Sequence, residues 1–207
     1  MVLRIAPLVM GGVAALAAAL PGWAHHPFEG VEPQNLNLFQ GLVSGLGHPL
    51  LGTDHLVFLL AIVMITALTT RRWLLPLLAS GLAGSGLAVL LSAAPEPGLG
   101  LALELAVALS LAVAGLAHRG WLPAWLLLPL MGVHGFLLGE PMIGAEPTPL
   151  LAYGLGLFLS QGALLLVVSA LLARSRSILA LLQKLRLATA TLLMVLGVIW
   201  TIQVLRG

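Results

Sequence analysis

Long apolar runs alternate with short polar or charged connectors along most of this chain. Six of the runs are long enough for membrane spans, at roughly 46–70, 73–94, 99–117, 121–139, 149–173 and 187–205, since a helix crosses the hydrocarbon core in about 20 residues. The connectors are Arg71-Arg72, Ala94 to Gly98, His118-Arg119-Gly120, Glu140 to Thr148, and Arg174 to Arg186. A seventh apolar run, Ile5 to Leu20, differs from the others. Arg4 precedes it and Pro21-Gly22-Trp23-Ala24 follows, which is the plan of a secretory signal with small residues at its cleavage site. The expectation is an all-α, polytopic helix bundle: a signal peptide over 1–24, then one domain of six transmembrane helices over 25–207.

Composition agrees. A hydrophobic share of 60% with 8% charged residues is not that of a soluble domain. Basic residues then predict the orientation. With the signal's start inside, Arg4, Arg71, Arg72, Arg119, Arg174, Arg176, Lys184 and Arg186 fall on the cytoplasmic side, and Arg206 falls outside. This places the mature N-terminus and the C-terminus outside a bacterial-type inner membrane. Ser175 to Arg186 reads as an amphipathic stretch at the inner surface. The net charge of +2 is spread between apolar runs and forms no basic face for nucleic acid. The glycines of the second and fifth spans read as close-packing positions between helices.

Against this apolar background, ionisable residues inside or beside a span call for a role. His48-Pro49-Leu50-Leu51-Gly52-Thr53-Asp54-His55 leads straight into an apolar run. Pro49 fits a first helical turn, with His48 at the N-cap. On a regular helix His48 and His55 share a face but stand about 10.5 Å apart, too far for one ion with ligand bonds of about 2 Å. Either Gly52 marks an unwound turn that brings them together, or they are successive stations on a path. Asp54 is a ligand or an orienting group; the alternative is a helix cap. Glu104 in the third span, and His134 in the fourth with Glu140 six residues on, lie in the same outer half. Gly132 and Gly135 around His134 suggest a kink and a close backbone approach. If cleavage follows Ala24, His25 and His26 open the mature chain, where a free amine beside two imidazoles forms a chelating group. Met64, Met131 and Met142 read as packing, Ser160 and Gln161 as bridging or path-lining, and His118 as an inner-surface residue. With no cysteine, a metal site must use imidazole, carboxylate, thioether, backbone or water, which suits Ni, Co, Zn or Cu(II).

These motifs carry a resemblance. Ala24-His25-His26-Pro27-Phe28, Gly45 to His55, His134-Gly135, Gly139-Glu140 and Ile143 to Glu146 together make the chain resemble the HupE/UreJ family of nickel and cobalt permeases. The resemblance implies uptake of divalent nickel or cobalt, with His48, Asp54, His55 and His134 at the matching site positions. Leu138 departs from it: many members carry a second histidine there, and Glu104 or Glu140 is the candidate substitute.

The expected function is therefore a secondary permease, not an enzyme, with no cofactor; the metal ion is its substrate and the bilayer its other partner. The metal positions are His25, His26, His48, Asp54, His55, Glu104, His134 and Glu140. The chain has no G-x-x-x-x-G-K-[ST] loop, so transport would run on the ion gradient or membrane potential. A rival reading is a haem-bearing membrane anchor that uses His48 or His55 with His134. An intramembrane metal hydrolase is a weaker rival, since H-E-x-x-H is absent.

Overall fold

The computed structural model describes Phe28 and residues 30–66, 70–91 and 96–206. The expected signal, His25 and His26 lie outside these residues. Everything regular among the described residues is helical: α1 Leu38–Leu51, α2 Thr53–Thr66, α3 Thr70–Leu91, α4 Pro97–Arg119, α5 Leu127–Gly139, α6 Pro147–Arg174, α7 Arg176–Lys184 and α8 Arg186–Val204, with short 3-10 turns at Pro33–Asn35, Ala124–Leu126 and Glu140–Met142. Among the described residues, five helices are long and apolar enough to cross a membrane. The α1–α2 pair, bent by 71°, makes a sixth span if counted as one. With the 3-10 turns on either side of α5 counted into its span (Ala124–Met142), the last five spans lie within three residues of the expected boundaries.

The first span departs from expectation. It begins at Leu38, earlier than the predicted 46, because Asn37 and Gln40 form a capping box: Asn37 Oδ1 accepts from the Gln40 N–H at 2.9 Å, and Gln40 Oε1 accepts from the Asn37 N–H at 3.0 Å. His48 is consequently not an N-cap. It lies in the last turn of α1, and Pro49 is inside that helix. Proline has no N–H for the carbonyl four residues back, and Ser160 Oγ donates to that carbonyl, Gly45 O, at 3.3 Å. The α1 helix closes when the Gly52 N–H bonds to His48 O, and α2 opens from Gly52 O.

Three helix pairs enclose α2. The α1–α6, α3–α5 and α4–α8 pairs are each brought together by small residues. A Cβ on Gly45 would strike Tyr153 O, and one on Gly84 would strike Gly132 O. One on Gly197 would come within 2.5 Å of Ala112 N. Between the pairs, Phe58, Ala61, Ile62 and Val63 of α2 are fully buried, against Leu77 and Leu78 of α3, Leu111 of α4, Met131 of α5, Leu165 of α6, and Leu196 and Trp200 of α8. Only a narrow strip of α2 that includes Leu60 stays open to the outside, and it is apolar like the buried faces. The outer faces of α3 and α6 carry exposed leucines such as Leu75, Leu90 and Leu151, as lipid contact requires.

The ends of the bundle differ. The helices at one end start at Pro97 and Pro147 and finish at Gly139. The other end carries Arg119, Arg174 and Arg186. There Gly120 ends α4 in the left-handed conformation (φ 84°), its N–H bonded to Ala117 O, and Arg186 Nε donates to His118 O at 2.6 Å. The amphipathic α7 is also at this end.

Candidate metal-conducting site

The break at Gly52 brings distant groups together. With α1 and α2 bent apart there, the His48 and His55 rings stand 6.1 Å centroid to centroid, edge to face. Two imidazoles on a common ion place their centroids roughly 4.5–6.5 Å apart, given metal–nitrogen bonds of about 2.0–2.1 Å. Asp54 lies between them in sequence, in the first turn of α2, where a carboxylate complements the helix dipole. Its Oδ1 accepts from the His55 N–H at 2.9 Å. All three residues are nearly sealed, with 2%, 3% and 4% of the surface of His48, Asp54 and His55 exposed.

A cavity of about 150 Å³ lies against this break, lined by His48, Asp54, His55, Glu104, Leu137, Glu140 and Pro141. Glu104 comes from the second turn of α4 and Glu140 from the turn that follows α5. Five of the eight expected positions therefore share one cavity, at the end of the bundle away from Arg119 and Arg174. Its glutamates are the more open members; Glu104 is exposed and Glu140 half-buried. Among the described residues, no three His, Asp or Glu side chains close around a single point. The donors line the cavity without forming a cage among the described residues.

His134 does not line the cavity. It stands behind His55, with the two Nδ1 atoms 2.7 Å apart. Its partners determine which nitrogens carry protons. Ser110 Oγ donates to Val107 O at 2.6 Å, so it accepts the His134 Nε2–H at 2.9 Å. His134 Nδ1 is then a lone pair, and His55 Nδ1–H donates to it. His55 consequently holds its remaining lone pair on Nε2. Phe58 fixes the relay by stacking on His134, with centroids 4.1 Å apart and planes within 2°.

A second relay holds His48. Tyr153 Oη donates to Leu138 O, so it accepts from His48 Nδ1–H at 2.8 Å, and His48 likewise keeps its lone pair on Nε2. The two relays run from the cavity to backbone carbonyls on α4 and α5. This is the arrangement by which outer groups aim metal-binding imidazoles. Leu138, which stands where the resemblance implies a further histidine, contributes its carbonyl to this network.

Tyr153, Ser110 and Phe58 were not among the expected site residues. Tyr153 is the only tyrosine in the chain, and a phenol inside a span needs a partner, which is a usable signal. Ser110 and Phe58 give none. The α5 helix is continuous past His134. Its glycines do bring the backbone close: a Cβ on Gly135 would strike Gly81 O of α3. His118 is elsewhere, at the arginine end, with Nε2 bonded to Thr189 Oγ1 at 3.1 Å. Met142 packs with Leu138, Tyr153 and Leu157, as filler.

The haem alternative needs a porphyrin between two imidazoles. His55 and His134 are in direct hydrogen-bond contact, and the cavity beside them falls short of the roughly 300–1,000 Å³ of sites for larger ligands.

In comparison with known proteins, the sequence model of the family described as HupE / UreJ protein matches residues 8–200. No curated protein and no solved structure matches significantly.

Proposed function

Because this chain belongs to the HupE / UreJ protein family, we propose that it is a secondary permease that takes up Ni²⁺ or Co²⁺ across a bacterial-type inner membrane. The observation that supports this most is the single cavity into which His48, Asp54 and His55, from the two sides of one broken span, converge with Glu104 and Glu140 from two other helices.

The proposed course begins outside. His25 and His26, at the mature N-terminus, collect the ion. Glu104 and Glu140 draw it into the cavity while it keeps most of its water. Asp54 and the Nε2 lone pairs of His48 and His55 then replace part of the water shell. Imidazole nitrogen favours late first-row ions over Mg²⁺ and Ca²⁺, which prefer oxygen ligands. His134 acts on the ion through His55, which it orients. The membrane potential drives entry, at about 2.3 kcal/mol per charge per 100 mV. The arginines at the opposite end (Arg119, Arg174 and Arg186) support, by the positive-inside rule, a cavity that faces outward.

The test is radiometal uptake by cells that express equal amounts of wild type and His55→Ala. The wild type should accumulate ⁶³Ni or ⁵⁷Co, and the variant neither. Equal uptake by both proteins would refute the assignment.

A further inference from the structure

The arginine-bearing end carries a helix face that the bundle leaves partly open. Ser175 ends α6 and caps α7, its Oγ accepting the Ile178 N–H at 3.3 Å. Along α7, Ile178, Leu179, Leu181 and Leu182 fall within one arc of about 160°, at 3.6 residues per turn. Gln183 and Lys184 lie outside that arc. The bundle covers only its edge. Leu179 and Leu182 are half-buried, but Ile178 and Leu181, with Leu185 just after the helix, keep 44%, 52% and 42% of their surface exposed.

Cations surround this face with no acid to meet them. Arg174 ends α6, Lys184 ends α7 and Arg186 opens α8. Arg186 Nε is bound to His118 O, and its Nη2 lies 3.3 Å from where a Cβ on Gly120 would stand. That sets its guanidinium against the turn that carries Arg119 and Trp121. Arg119 lies over the Trp121 ring, 5.4 Å from Cζ to the centroid, and Trp121 and Trp125 are both exposed. Exposed indoles beside cations mark a membrane–water boundary. Every described acid is at the cavity end, from Glu32 ahead of α1 to Glu146 ahead of α6, and no acid follows Glu146 in the sequence.

We propose that this end is a docking surface for anionic phospholipids. The α7 helix lies in the headgroup boundary with Ile178, Leu181 and Leu185 toward the acyl chains, and Arg119, Arg174, Lys184 and Arg186 meet lipid phosphates. Apolar burial alone would hold α7 to any bilayer. The uncompensated cations supply the preference for negative headgroups, each contributing about fivefold near a charged surface. The surface stands apart from the cavity, and its lipid preference does not depend on which ion is carried.

The test uses full-length protein in vesicles of phosphatidylcholine, alone or mixed with phosphatidylglycerol. The chain has no cysteine, so Leu181→Cys and Ala180→Cys each accept one spin label. Oxygen, which concentrates in lipid, should relax the label at 181 preferentially, and an uncharged water-soluble agent the label at 180. Spin-labelled phosphatidylglycerol should associate at least about fivefold more strongly than labelled phosphatidylcholine, and inorganic phosphate should not displace it. Arg119→Gln combined with Arg186→Gln should bring the two lipids within about twofold of each other. Lys184→Gln should lower the preference about twofold, and it carries the test if the double variant does not fold. Equal association of the two lipids, or a preference these substitutions leave unchanged, overturns the proposal. So does displacement by inorganic phosphate, which marks a free-anion site, and so does a label at 181 open to the water-soluble agent, which leaves the face to a protein partner.

Discussion

The broken α1–α2 span and the α4–α8 pair use the same small set of residues for opposite ends. In α4–α8, glycines at 115 and 197 let two continuous helices touch, and the contact is backbone against backbone. In α1–α2, Gly45 also permits close contact, here with α6. Yet the helix ends at Gly52, and two imidazoles and a carboxylate are buried at the end so formed. Burying such groups in a membrane is costly, and the cost is offset only where each has a partner. Tyr153 and His134 accept from the two imidazoles, and the carboxylate of Asp54 accepts from the His55 N–H. One region is thus organised for cohesion and the other for chemistry, and substitutions should separate the two.

The largest separation is expected at His55. His55→Ala should reduce metal uptake to background, at least about 100-fold, without lowering the melting temperature of the purified protein. A matching loss of stability would show that His55 is chiefly structural. In the cohesive region, Gly197→Leu should do the reverse. Forced overpacking against Ala112 should cost about 3 kcal/mol or more, seen as a lower melting temperature and less membrane-inserted protein. The molecules that fold should keep wild-type Co²⁺ affinity.

Tyr153→Phe lies between these limits. It leaves His48 Nδ1 without its acceptor, and an outer partner of this kind is worth about 10–100-fold in metal affinity. Co²⁺ titration should show a weakening in that range with the fold intact; unchanged affinity would remove the relay from the account. The smallest effect is expected at His118, a histidine of the arginine end bonded to Thr189. His118→Ala should change uptake by less than about twofold. A large loss would mean the path includes that end of α4.

Most of the architecture was readable in advance. Apolar length alone located five spans, because nothing but a helix satisfies its backbone in lipid. The break in the first span was legible only as an option. Residues 46–55 carry Pro49 and Gly52, but the capping box at Asn37 and Gln40 decides that the helix starts early, so that His48 falls at its end. The acids and histidines of the cavity stood out because each is anomalous against an apolar background. Their partners did not. Phe58 and Ser110 are ordinary residues of membrane helices, and only the packing of α2 against α4 and α5 turns them into a brace and a relay. His134 was legible as part of the site, but its place behind His55 depends on that same packing.

The central claim is that His48 and His55 meet on one ion across the Gly52 break. X-ray absorption of the Ni²⁺-loaded protein examines this directly. The account predicts nitrogen and oxygen neighbours at about 2.0–2.1 Å with imidazole scattering from two rings, falling to one ring in His48→Ala and in His55→Ala. A spectrum without imidazole scattering, or one that neither substitution alters, would contradict it.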